Sequence, residues 1–212
     1  MTGKIELPRA PLEGEALRAL SLAEMAAFAR ALPADGAENT ASPLRKPALA
    51  TIAADGAPAV RTVILRSVDA GRRAFGIFTD ARSSKVAEIA RDSRASLLFY
   101  DPRCDIQVRF SGRAEARVGD GSAWESAAPP SRRAYLVTAP PGTPSPGPVS
   151  GLPPDAEGVI PPLERLEEGR NNFALVEFIF DEADIAVLSR AGNRRARIRF
   201  AAEEPQAEWL VP

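Results

Sequence analysis

The 212-residue chain has no histidine, a single cysteine, and three lysines against 24 arginines. The missing histidine is the most restrictive of these absences. It excludes Ser-His-Asp and Cys-His catalysis and any zinc, haem or non-haem iron site built on imidazole. Cys104 alone cannot replace those ligands. It also excludes an intrachain disulfide and reads as a buried, small apolar side chain rather than a nucleophile, which suits a reducing, cytoplasmic setting. No apolar run reaches the length of a membrane span, and the N-terminus lacks a signal-peptide apolar core. With a net charge of −1, there is no bulk electrostatic case for nucleic acid or an anionic membrane. Redox or acid–base chemistry near neutral pH would therefore need an organic cofactor, or a carboxylate or lysine with a shifted pKa.

What is present suits an ordinary globular protein: 45% of residues are hydrophobic and 26% charged, enough for one core and one domain over residues 1–212. Residues 1–36 read as an N-terminal helical arm, loose over 1–14. Within it, Leu20 to Leu32 is amphipathic. Ser21 and Glu24 have capping-box spacing, and Leu22, Met25, Ala29 and Leu32 form the apolar stripe. Pro33 is expected to end that helix, and Asp35-Gly36 to turn the chain.

From residue 48 to 118 the pattern is mostly β. Asp55-Gly56 is a hairpin signal between two apolar runs. Val60 to Arg66 alternates as one strand, with Arg61, Val63 and Leu65 on one side and Thr62, Ile64 and Arg66 on the other. Phe75 to Thr79 and Ala95 to Tyr100 are further strands. Ile106 to Val118 is the cleanest alternation, with Gln107 and Arg109 on its polar face. Trp124 to about Val137 reads as helix interrupted at Pro129-Pro130. Residues 139–162 hold nine prolines and four glycines, too many for any regular element, and so form a long loop or lid. Leu163 to Arg170 is a short helix, and Phe173 to Phe180 and Asp184 to Leu188 read as a strand pair. Arg194 to Phe200 is the last strand, on which Arg195, Arg197 and Arg199 share a face.

One arrangement points to chemistry. After the strand at Phe75 to Thr79 the chain turns at Asp80 and starts a helix near Ser83 or Ser84, with Lys85 in its first turn. A helix N-terminus offers unpaired N–H groups and a positive dipole end. The two serines add hydroxyls, Lys85 adds a charge, and Arg61 from a neighbouring strand adds a planar fork. The same spacing also fits an ordinary N-cap with solvated cations.

Four motifs in order, Arg61-Thr-Val-Ile-Leu-Arg66, Phe-Thr-Asp at 78–80, Ser-Ser-Lys at 83–85 and Gln-Val-Arg at 107–109, resemble the pyridoxamine 5'-phosphate oxidase-like family over residues 42–118. The resemblance implies a mostly β, antiparallel split β-barrel with peripheral α-helices, working as a homodimer with FMN at the interface. It implies FMN contacts from Arg61, Thr62, Val63, Ile64, Leu65, Arg66, Phe78, Thr79, Ser83, Ser84, Lys85, Gln107, Arg109 and Arg199. Of these, Arg61, Ser84, Lys85 and Arg66 would serve the phosphate, and Gln107 and Arg199 the ring near N1 and O2. Arg195 and Arg197 would face the substrate. No catalytic side chain and no metal is implied.

This chain also departs from the family pattern. Ser84-Lys85 stands where the oxidase has Arg-Lys. Residues 124–133 lack the Tyr, Arg and Ser that grip a substrate phosphate. The Arg-x-His pair has become Arg195-Ala196-Arg197, and Leu188 or Ser189 stands where a tryptophan is expected. The implied activity is that of an FMN-dependent oxidoreductase on an unidentified small substrate, not an efficient pyridoxamine-phosphate oxidase. A flavin-storage protein, a deazaflavin-using relative and an RNA-binding barrel are the alternatives.

Overall fold

The computed structural model describes residues 7–200 and 205–212, so the first six residues of the expected N-terminal arm lie outside it. The alternating segments form antiparallel strands: β1 (Ala48–Ile52), β2 (Pro58–Thr62), β3 (Leu65–Asp69), β4 (Ala74–Asp80), β5 (Arg94–Asp101), β6 (Ile106–Val118), β7 (Phe173–Val187), β8 (Arg194–Arg199) and β9 (Gln206–Leu210). They build one sheet in the order β2-β1-β5-β6-β7-β4-β3, with β8 beside the far half of β7 and β9 beyond it. The two ends of that order, β2 and β3, follow one another in the chain. Val63 and Ile64 carry the backbone across the seam, and no ladder closes it, so the barrel is split.

That seam corrects the strand expected over Val60 to Arg66. Arg61 faces Leu49 of β1, whereas Leu65 faces Ile77 of β4. The alternation continues while the hydrogen-bonding partner changes, and alternation carries no information about partners. A second correction concerns residues 173–187, which form one long strand rather than a pair. Ser111 faces Glu182 but Gly112 faces Phe180, leaving Asp181 as the bulged residue. Gly112 is required there, since a Cβ would lie 2.1 Å from the Ile179 carbonyl oxygen. The hairpin at Asp55-Gly56 forms as expected, with Gly56 at φ +87°.

The inner face buries Leu49, Leu65, Phe75, Leu97, Phe99, Ile106, Val108, Phe110 and Phe178. Phe75 and Phe110 meet edge to face with centroids 4.9 Å apart. Cys104 is in this core, and burial pushes its thiol up to about 11, which keeps it protonated and inert.

A short helix, α1 (Gly14–Arg18), precedes α2 (Leu22–Glu38), which covers the barrel with Met25, Phe28 and Leu32. The Ser21–Glu24 capping box starts α2 as expected, but Pro33 lies inside the helix rather than ending it. Tertiary packing outweighs the lost N–H. Ser42 Oγ donates to Asp35 Oδ2 at 2.5 Å, and the 43–45 turn sits so close that a Cβ at Gly36 would be 2.4 Å from the Leu44 carbonyl oxygen.

Four more helices follow: α3 (Ser84–Arg91), α4 (Gly121–Ser126), α5 (Pro129–Arg133) and α6 (Leu163–Glu167). Trp124 and Tyr135 pack on Phe173 and Phe78 as a second apolar cluster. Residues 139–162 hold no helix or strand. Thr138 N–H donates to the Gly151 carbonyl at 2.9 Å and closes an exposed excursion. Among the described residues no helix is long and apolar enough to cross a membrane.

Candidate functional site

The N-terminal end of α3 gathers the first set of candidate residues. Asp80, at the end of β4, is gripped by the Arg82 fork, Nη2 to Oδ2 at 2.7 Å and Nε to Oδ1 at 3.0 Å. Ser83 is the N-cap residue, but its hydroxyl donates back to the Asp80 carbonyl at 2.7 Å and leaves the helix without a side-chain cap. Thr79 and Ser83 present their hydroxyl oxygens to Lys85, whose Nζ donates to them at 3.0 and 3.1 Å. No carboxylate lies within ion-pair distance of Lys85 among the described residues. Burial first, and then the charge of Arg61, pull its pKa below the ordinary lysine value. A half-buried ammonium bonded only to hydroxyls is a cation short of a counter-ion.

Arg61 reaches the same place from β2. Its Nη2 donates to Glu88 Oε2 at 2.7 Å, and its Nη1 to Thr51 Oγ1 and, at 3.2 Å, to the Ala59 carbonyl. Thr51, on β1, donates its own hydroxyl to the same Glu88 oxygen at 2.5 Å. Ser84 is exposed at the first helical position, and its hydroxyl favours the charged form of Glu88 rather than joining the Lys85 set.

Phe78 and Thr79 are consecutive on β4 and so face opposite sides. On the Phe78 side the Arg66 guanidinium lies 5.2 Å from the ring centroid. Its Nε is buried with no hydrogen-bond partner, a rare condition that marks an unmet donor. Desolvation lowers the pKa of Arg66, and burial pushes the neighbouring Tyr135 up to about 12. Thr62 and Ile64 are exposed and Val63 and Leu65 buried, as the backbone crosses the seam between the two sides.

The other candidates form a separate row. Gln107 faces Ala186 of β7, which faces Arg195 of β8. Arg109 Nη2 and Arg195 Nη2 share Asp184 Oδ2 at 2.8 and 2.7 Å. Arg197 Nη2 and Arg199 Nη1 both donate to Glu208 Oε1 of β9 at 2.8 Å. The hydrogen bond from Arg195 holds the Asp184 carboxyl below the usual range.

Thr79 lies level with Ala174 and Val118, at the far end of β6 from Gln107. The eleven residue steps from Gln107 to Val118 make roughly 36 Å of strand at about 3.3 Å each. The fold therefore brings Arg61, Thr79, Ser83 and Lys85 together, and it sets Phe78 and Arg66 on the opposite face of β4, with the 62–65 linker crossing between the two sides. Gln107 lies at the other end of β6 from Thr79, and among the described residues Arg109, Arg195, Arg197 and Arg199 bond to Asp184 and Glu208 rather than to that group. Sequence reasoning did not single out Thr51, Glu88, Tyr135, Asp184 or Glu208. Only the Lys85–Glu88 spacing, one helical turn, carried a signal.

The assembled donors suit a phosphate dianion: two cations, two hydroxyls and the N-terminus of an eight-residue helix. Residues 25–117 match the family model of the pyridoxamine 5'-phosphate oxidase FMN-binding domain. The pyridoxine/pyridoxamine 5'-phosphate oxidase of Anaeromyxobacter dehalogenans is 43% identical over 86 residues, 41% of this chain and 40% of that enzyme. That of Cupriavidus taiwanensis is 42% identical over 74 residues, 35% of this chain and 34% of the enzyme. The matched segment thus spans less than half the length of these curated relatives. A pyridoxamine 5'-phosphate oxidase-related, FMN-binding protein from Nostoc punctiforme superposes with a TM-score of 0.66 at 22% identity, covering 88% of this chain and 96% of that one. PhzG from Burkholderia lata, solved with tetrahydrophenazine-1-carboxylic acid, superposes at 0.64 and 18% identity over 97% of this chain and 100% of its own. At those identities the likeness is one of fold.

Proposed function

We propose, from the premise that residues 25–117 belong to the pyridoxamine 5'-phosphate oxidase-like FMN-binding family, that this chain binds flavin mononucleotide and acts as a flavin-dependent oxidoreductase on a small substrate. The observation that carries the reading is Lys85: desolvated, beyond ion-pair distance of any carboxylate among the described residues, and placed beside Arg61 at a helix start with no side-chain cap. Bound flavin would supply the hydride chemistry for which a chain without histidine has no side-chain substitute. Lys85 and Arg61 would hold the phosphate, Thr79 and Ser83 would aim the ammonium, and the 62–65 linker would flank the ring. Gln107, at the far end of β6 from Thr79, and Arg199, level with Ser111 near its middle, would not reach a flavin held at Lys85 in one chain. A second copy would bring them to it, so the working unit is read as a homodimer with flavin between the copies.

Titration of Arg61→Ala and Lys85→Ala with FMN and with riboflavin tests the phosphate site. Each variant should lose about 1.5–3 kcal/mol of FMN binding, roughly ten- to over a hundredfold, with riboflavin affinity little changed. FMN binding equal to that of the parent in both variants would place the site elsewhere. Absorbance and mass of the released chromophore separate FMN from a deazaflavin. Turnover with a reductant or an amine separates an oxidoreductase from a storage protein.

A further inference from the structure

Arg61 belongs to a closed triangle of polar groups drawn from three elements. It donates to Glu88 and to Thr51, and Thr51 in turn donates to Glu88. Thr51 is 1% exposed, and the Arg61 and Glu88 side chains are 22% and 11% exposed, so the triangle is largely shielded from water. A free arginine side chain has many rotamers, and fixing one costs conformational entropy. Here that cost is met before any ligand arrives. The bonds to Thr51, Ala59 and Glu88 engage Nη1 and one hydrogen of Nη2. The Nε hydrogen and the second Nη2 hydrogen are left as a forked pair. Glu88 is also one helical turn from Lys85, so a single helix carries both the hydroxyl-bonded ammonium and the carboxylate that orients the second cation.

We propose that Glu88 is a positioning residue that sets the preference of this site for a phosphorylated over an unphosphorylated flavin, acting through Arg61. The inference rests on the phosphate site proposed above. Glu88 does not touch the ligand phosphate. Its own charge opposes a dianion, and it aids binding only while Arg61 is present to be aimed.

The dependence on Arg61 separates this role from a merely structural one. The experiment measures dissociation constants of the full chain for FMN and riboflavin by flavin fluorescence, with thermal melts as a folding control. Glu88→Gln should weaken FMN binding about tenfold, the worth of one charge-assisted hydrogen bond, and leave riboflavin binding and the melt unchanged. Thr51→Val, which removes the bridging hydroxyl but keeps a β-branched side chain, should weaken FMN to a smaller extent. In an Arg61→Ala background, Glu88→Gln should no longer weaken FMN binding and should strengthen it, because an unpaired carboxylate then repels the phosphate. Equal loss in both backgrounds, or tighter FMN binding by Glu88→Gln alone, would overturn the proposal while leaving the phosphate site standing. A parent protein that binds FMN no better than riboflavin would overturn both.

Discussion

Lys85 shows how burial converts an ordinary side chain into a site. Two hydroxyls take two of its three hydrogens without neutralising its charge, and desolvation together with Arg61 lowers its pKa. A bound phosphate would favour the protonated form and push that pKa back up, so binding and proton uptake are coupled. FMN affinity should therefore fall as pH rises through the depressed Lys85 pKa, because the neutral amine has no charge to offer. On the acid side it should fall below about pH 6, where a phosphate loses its second charge. FMN titrations across pH 5 to 10 check this. Lys85→Met should remove the basic limb, and riboflavin should show no such limb in the parent. Arg66 could not be read in the same way from sequence. Its orphaned Nε and its place over Phe78 arise from a bulge in β3 and from the packing of Tyr135, and neither has a local signature.

At the level of elements, local chemistry was legible wherever it was self-contained. The Ser21–Glu24 capping box, the Asp55-Gly56 turn and the alternation from Ile106 to Val118 each specify their own geometry, and each forms. Partner choice was not legible. Val60 to Arg66 alternates without a break, yet its two halves belong to opposite edges of the sheet. Phe173 to Val187 looks interrupted near Asp181 because a bulge inserts one unpaired residue into an otherwise continuous strand. The bulge depends on Gly112, whose missing side chain admits the Ile179 backbone. Gly112→Ala should cost at least ~1–3 kcal/mol, the usual range for overpacking against neighbours that cannot yield. Urea denaturation measures it; a loss below about 0.5 kcal/mol, the ordinary surface value, would mean that the bulge relaxes freely.

For the whole molecule, the distribution of charge is the informative feature. Thr79 and Lys85 lie by the Val118 end of β6 and Gln107 and Arg195 by its Ile106 end, and Arg109, Arg195, Arg197 and Arg199 are each bonded to Asp184 or Glu208. One flavin cannot span that length of strand, so sedimentation of the flavin-loaded protein should give a dimer. A monomer that retains FMN tightly would refute the shared site. Pyridoxamine 5'-phosphate should be a poor substrate. Residues 124–133 supply buried Trp124 and an Arg132 committed to Glu167 at 2.9 Å, rather than a free clamp for a second phosphate. Arg197, at the position expected to face the substrate, is paired with Glu208 at 2.8 Å and offers no neutral ring for an amine. Poor positioning alone costs about a hundredfold in rate. Oxygen uptake with the FMN-loaded protein is the assay, and a kcat/KM of roughly 10⁴ M⁻¹s⁻¹ or above would show that a substrate clamp exists.

By itself, the sequence determined the chemistry available and the elements that carry it. The absence of histidine, the helix start at Ser83 to Lys85 and the four ordered motifs follow from residue identity and short-range spacing, which folding leaves intact. Tertiary structure alone decided which of those residues meet. It placed Thr51 and Glu88 around Arg61, kept Lys85 beyond ion-pair distance of any carboxylate among the described residues, and set Thr79 and Gln107 at opposite ends of one long strand. Contacts between residues dozens of positions apart depend on strand order and register. Those are settled by the burial of a shared core, a property of the whole chain that no local pattern encodes.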